Sequence, residues 1–194
     1  MKIVNLSQRS TSWLVYRNSG IGSSDIAAIM GLNPYSTPLK VYKEKMGFSN
    51  PKVSNFAMNR GVEFEEEALS RASSALGVEL LPICVEDDSY PWMRASIDGY
   101  NEEQNLIVEV KIPLEKNFAL HCISLEDMYR CQTQWQMSIT VGRGCVYVYS
   151  PEQKSGVIWE VDIDKAYQKS MREIAIDFWT NHVLIGEPPQ RKKK

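Results

Sequence analysis

The sequence predicts a single α/β domain: a central mixed β-sheet with helices packed on its faces. Three observations predict it. At 194 residues the chain has the length of one such domain, enough to bury a single substantial core. Its apolar spacing is helical over the first third, alternates from about residue 78, and then changes between the two periods again. Most glycines and prolines fall where a compact alternating fold places its breakers, at the boundaries between these stretches. The domain is expected to span residues 1–186, followed by a basic, flexible tail over 187–194.

The elements follow in order. Ser10 or Thr11 caps a helix carrying Trp13, Leu14 and Arg17 that Gly20 ends, and Ser23 or Ser24 caps a second with Ile26, Ile29 and Met30, stopped by Gly31. Thr37-Pro38 opens a third, because proline is tolerated at the first helical position, and Gly47 closes it. A longer helix runs from about Asn55 to Leu76. Strands are expected at Val78–Val85, Trp92–Ile97 and Leu106–Ile112, with Asp98-Gly99 beginning a turn. Ser124 and Asp127 form a capping-box pattern that starts a helix reaching about Thr140. Strands at Cys145–Tyr149 and Val157–Val161 and an amphipathic helix from Asp164 to about Leu184 complete the domain.

Composition narrows the function. Hydrophobic residues make up 43% and charged residues 24%, as in ordinary soluble proteins, and no apolar run approaches the roughly 18 residues of a membrane span. The amino terminus lacks a signal-peptide pattern, so a cytoplasmic location and no membrane partner are expected. Cysteines 84, 122, 131 and 145 lack the close pairing of zinc or iron–sulfur sites and read as reduced, partly buried thiols. A formal charge of −2 argues against a protein that grips nucleic acid through a bulk positive field, so any DNA contact is expected to be local. The terminal Arg191-Lys192-Lys193-Lys194 reads as a solubilising tail or a DNA-tracking arm.

Chemistry is concentrated where charge interrupts apolar strands. In Leu106-Ile107-Val108-Glu109-Val110-Lys111-Ile112, five of seven residues are aliphatic, so the strand is buried on both faces. Alternation puts Glu109 and Lys111 side by side. They form either a structural ion pair or part of a reaction site, and a buried pair is weak evidence for stability. On the preceding strand Arg94, Ser96 and Asp98 share a face, and antiparallel pairing brings Asp98 towards Glu109 and Lys111. Asp98, Glu109 and the Val110 carbonyl offer hard oxygen ligands for Mg²⁺, with Mn²⁺ as a substitute. Lys111 can orient a nucleophile or stabilise a phosphoryl transition state.

Counting by helical steps from Met58 gives Gly61, Glu65, Ala68, Leu69, Ala72 and Leu76, an apolar stripe that one carboxylate interrupts; Glu63, Glu66 and Glu67 beside it read as a wet face. In the helix after Ser124, Gln132, Trp135, Gln136 and Ile139 share a face. An amide on a core-facing stripe must find a partner: for Gln132 either the attacking water, a phosphate, or strand ends.

Six motifs in order carry a resemblance: Trp13-Leu14-Val15-Tyr16-Arg17; Gly20 through Gly31; Gly61 with Glu65; Ala95-Ser96-Ile97-Asp98-Gly99; Val108 through Pro113; and Tyr129-Arg130-Cys131-Gln132-Thr133-Gln134. Together they resemble the phage lambda exonuclease and YqaJ-type viral recombinase family of restriction-endonuclease-like D-E-x-K nucleases, over about two-thirds of the chain. The resemblance implies a Mg²⁺-dependent 5′–3′ exonuclease that digests one strand of linear duplex DNA from a 5′-phosphorylated end, leaving a 3′ overhang for phage-type recombination. It implies that Asp98 and Glu109 bind metal, that Lys111 is catalytic, and that Glu65, through a water, and Gln132 complete the site. It further implies that Arg17, Ser24 and Ser96 cradle the 5′-phosphate, that three subunits ring the duplex, and that a single-strand annealing protein is a partner. One departure stands out: where the family's phage prototype has a lysine, this chain has Asn55. The rival expectations are a related endonuclease, which would cut circular duplex, and a non-catalytic DNA-end-binding or recombination-scaffold protein, which the intact Asp98, Glu109 and Lys111 disfavour.

Overall fold

The computed structural model describes residues 1–49 and 54–190. Six strands lie in sequence order across one sheet: β1 (Lys2–Val4), β2 (Leu81–Glu86), β3 (Arg94–Asn101), β4 (Leu106–Lys111), β5 (Arg143–Ser150) and β6 (Ser155–Val161). Neighbours pair antiparallel except β4 and β5, which run parallel. A parallel pair needs a crossover, and α5 (Glu115–Ile123) and α6 (Asp127–Thr140) supply it.

While α1 (Thr11–Asn18) packs Trp13 and Tyr16 against Cys84 of β2 in a separate cluster, helices α2 (Ser23–Ile29) and α3 (Pro38–Lys45) gather with α6 and α7 (Lys165–Phe178) on one face. Their apolar sides close the main core around Ile26, Ile97, Ile107, Trp135, Val146 and Met171. The long α4 (Phe56–Leu76) covers the opposite face through Ala68 and Ala72, against Val108, Val110 and Tyr149. The sheet is thus buried on both sides at its centre, as the aliphatic β4 requires.

Ser10 caps α1 as expected, Thr37 and Asn55 cap α3 and α4, their side chains accepting from the Trp13, Lys40 and Met58 amides, and α2, expected to be capped by Ser23 or Ser24, starts instead from Gly22 with no side-chain cap. Four further expectations are corrected. Asp98-Gly99 is no turn: β3 continues to Asn101, because these residues stay in the sheet beside β4. Ser124 does not cap α6; it terminates α5, and α6 begins after Glu126 with no side-chain cap. The second strand begins at Leu81 rather than Val78, after Gly77 adopts a left-handed φ of 67° at the end of α4. The last helix ends at Phe178 and continues as a π-helical turn over Trp179–Val183. All four cysteines are free, and three are buried. The expected basic tail's Arg191 to Lys194 lies outside the described residues.

Candidate active site

The site lies where β3 and β4 part. Their pairing ends at Gly99 with Val108; beyond it the Val110 amide has no backbone partner on β3 and donates instead to Asp98 Oδ2 at 2.9 Å. A carboxylate thus fills the opening in the sheet. Glu109 and Lys111 project together from β4, with Lys111 Nζ 2.5 Å from Glu109 Oε1. Glu109 is 5% exposed.

Three acids converge on one lysine. Burial pushes the Asp98 carboxyl well above the usual range, and the neighbouring Glu109 adds to it, with Lys111 opposing. Glu65, on α4, is also raised, first by burial and then, against its ion pair with Arg9, by Glu109. Burial pulls Lys111 down, but Glu109 and Asp98 outweigh it and hold the ammonium above its ordinary value. Mutual repulsion between poorly solvated carboxylates is what a bound divalent cation relieves. Among the described residues no three of His, Cys, Asp and Glu form a ready metal-binding cluster. A divalent cation placed here would find hard oxygen donors in Asp98, Glu109 and the Val110 carbonyl, the kind that Mg²⁺ takes.

Helix α6 presents Tyr129, Gln132 and Gln136 at helical spacing on one face. Lys111 Nζ sits 4.9 Å from the Tyr129 ring centroid. Gln136, fully buried, donates to Glu109 Oε2 at 2.6 Å, and its Oε1 has no partner. Gln132 lies between these two on the same face, partly exposed. Sequence reasoning had placed Gln136 on this stripe but gave it no role, and it overlooked Tyr129 beyond its motif. The stripe itself was the signal: two glutamines four apart on a core-facing surface.

A second cluster adjoins the first. Arg17 Nη2 donates to Ser24 Oγ at 2.9 Å, and the Arg17 guanidinium lies 4.8 Å from the Trp13 ring. Trp13 Nε1 donates to Ser96 Oγ at 2.8 Å. The structure therefore gathers Arg17, Ser24 and Ser96 around Trp13, with Arg17, Ser24 and Ser96 all partly exposed. Ser96 is two residues from Asp98 on β3, and Ser23, beside Ser24, lies 3.5 Å from Gln136 Nε2. Both contacts join this cluster to the carboxylate site. Buried Arg94 fixes the end of α1 by donating to the Tyr16 carbonyl and Ser19 Oγ. Asn55 is the cap of α4.

From residue 12 to 142 the chain matches the family described as the YqaJ-like viral recombinase domain. It is 23% identical to the uncharacterized protein YqaJ of Bacillus subtilis over 184 residues, 91% of this chain and 57% of that protein. A 58-residue stretch, 30% of the chain, is 34% identical to protein D345L of African swine fever virus and spans 17% of it. The chain thus spans less than two-thirds of the length of these relatives. Among solved structures, an alkaline exonuclease from Laribacter hongkongensis superposes with a TM-score of 0.74 at 18% identity, covering 89% of this chain and 92% of that one. A phage-related exonuclease from Haemophilus somnus gives 0.62 at 15% identity, covering 87% and 96%. The mixed α/β fold is thus that of these exonucleases. Among the described residues no helix is long and apolar enough to cross a membrane.

Proposed function

The chain belongs to the YqaJ-like viral recombinase domain family, and from that premise we propose that it is a divalent-metal-dependent 5′–3′ exonuclease acting on 5′-phosphorylated ends of linear duplex DNA. The observation that carries this reading is the convergence of Asp98, Glu109 and Lys111 where β3 and β4 separate. Glu109 and Lys111 are charges on an otherwise apolar, buried strand, where an ion pair contributes little net stability and points to a reaction site instead.

Asp98, Glu109 and the Val110 carbonyl hold the cation, Mg²⁺ with Mn²⁺ as a substitute. When bound, it supplies Lewis acidity for the attacking water and the scissile phosphate. Glu109 orients Lys111 through their ion pair, and the Tyr129 ring limits the ammonium from the other side. Lys111 then faces the phosphoryl oxygens as they gain charge in the transition state. Gln132, partly exposed on the α6 face between Tyr129 and Gln136, would hydrogen-bond the attacking water or a phosphate. Glu65 acts at the rim, through a water, once Arg9 gives way. Arg17, Ser24 and Ser96 bind the terminal phosphate ahead of the cut, a two-pronged anion contact suited to a guanidinium. The product is a 3′ single-stranded overhang suited to a single-strand annealing partner, and a homotrimeric ring is the assembly proposed for holding the duplex.

The test is nuclease assay of single variants on linear duplex. Asp98→Ala and Glu109→Ala are expected to lose activity and divalent-metal binding by calorimetry. Lys111→Ala is expected to keep metal and DNA binding while single-turnover cleavage slows by about 10²–10³-fold. Full activity in either acid variant, or a near-parental rate for Lys111→Ala, overturns the assignment.

A further inference from the structure

Beneath the Arg17–Ser24 cluster lies a buried ion pair. Lys45, the last residue of α3, has a side chain only 3% exposed, and its Nζ is 2.6 Å from Asp25 Oδ2, itself 7% exposed. The same ammonium donates to the Arg17 backbone carbonyl at 2.8 Å. Asp25 Oδ2 also accepts from the Gly22 amide at 2.9 Å. One pair of side chains therefore ties together the ends of three segments: Arg17 on α1, Gly22 before α2, and α3.

The pair has an electrostatic consequence for the pocket above it. Asp25 follows Ser24 directly in the chain. Although burial works to raise its carboxyl, Lys45 and then Arg17 outweigh that effect and hold it below the usual range. Asp25 is thus ionised, and Arg17 lies within its field. Unopposed, that carboxylate would repel an incoming phosphate and draw the Arg17 guanidinium away from Ser24. A buried ion pair contributes little net stability. Its charges, however, are poorly screened by water and act strongly on near neighbours. Arg17, Lys45 and Asp25 together leave one net positive charge at the cluster. Removing Lys45 leaves none, and neutralising Asp25 leaves two.

We propose that Lys45 is a specificity-determining positioning residue of the 5′-end pocket: by neutralising Asp25 and holding the Arg17 carbonyl, it leaves the Arg17 guanidinium free for a terminal phosphate. The proposal rests on the reading of Arg17, Ser24 and Ser96 as that pocket, but not on the chemistry at Asp98 and Glu109. The charge count gives opposite signs for the two partners, which a packing role does not.

The test is equilibrium binding, in EDTA, of short duplexes with 5′-phosphoryl or 5′-hydroxyl ends, read by fluorescence anisotropy as the ratio of the two Kd values. Lys45→Met is expected to reduce the preference for the phosphorylated end by roughly tenfold, the scale of one poorly screened charge near the ligand. Asp25→Asn is expected to keep or increase the preference. The double variant Lys45→Met with Asp25→Asn is expected to recover most of what Lys45→Met loses. Where Lys45→Met alone does not fold, the double variant decides: a preference still depressed there overturns the proposal. Equal losses in both single variants, or a parental ratio in Lys45→Met, also overturn it. Arg17→Ala separates the two failures. If it keeps the parental preference, the pocket assignment itself is wrong; if it loses the preference while Lys45→Met does not, only the role of Lys45 is.

Discussion

Asp98 is penalised for its charge from two sides, by burial and by Glu109. A carboxyl whose folded pKa is raised stabilises the fold in its protonated form. That contribution is complete below the unfolded value and is lost as pH rises through the folded one. Glu65 shifts the same way. The metal-free protein is therefore expected to lose thermal stability from mildly acidic to neutral pH, and Asp98→Asn to flatten that slope and raise the neutral-pH Tm by a few degrees. Divalent-metal affinity runs the other way, increasing with pH as Asp98 ionises. Calorimetric melting of both proteins without metal across this range checks the first; an Asp98→Asn slope equal to the parent's counts against it. Much of this site was legible in the sequence, because Asp98, Glu109 and Lys111 are charges on strands otherwise committed to burial. The partner of Gln136 was not, since Glu109 reaches it only across the β4–α6 crossover. Lys45 was hidden because its partners, Asp25 and the Arg17 carbonyl, lie on other helices and nothing within α3 signals them.

At the scale of elements, the placement of α1 and α2 rests on a close backbone approach. Ile21 pairs with Met93 in a parallel bridge, its amide donating to the Trp92 carbonyl at 2.6 Å and its carbonyl accepting from Arg94. A Cβ at Gly20 would overlap both the Trp92 carbonyl and Arg94 Nε. Backbone does not yield as a side-chain end does. Gly20→Ala is expected to destabilise the protein by about 2 kcal/mol or more and to loosen Arg17 and Ser24 from Ser96. Denaturant melts check the first effect; a change within a few tenths of a kcal/mol would show that the approach is relaxed. Long periodic helices and aliphatic strands were readable for the same reason that they pack: each repeats its apolar residues towards one surface. Two elements escaped. β1 is three residues long, too short to display alternation. α5 buries only Phe118 and His121 and has no side-chain cap, so neither stripe nor start signal marks it. Asp98-Gly99 misled because its local preference for a turn is overridden by pairing and by the Val110 amide.

For the whole molecule, a net charge of −2 leaves phosphate contact to local features, and enclosing the substrate would replace bulk electrostatic grip with topology. Light scattering is expected to give three times the mass of the 22.1 kDa chain and digestion of long duplex to be processive; a monomer that cuts distributively contradicts the ring. The most direct measurement of the proposed activity uses linear duplex with a separate label on each strand, bearing 5′-phosphoryl or 5′-hydroxyl ends, incubated with Mg²⁺ or with EDTA. A 5′–3′ exonuclease shortens each strand from its 5′ end and leaves 3′ overhangs, faster from phosphorylated ends and only with Mg²⁺. Loss of label from the 3′ ends first, cleavage of closed circular duplex at a similar rate, or no cleavage with Mg²⁺ would contradict it.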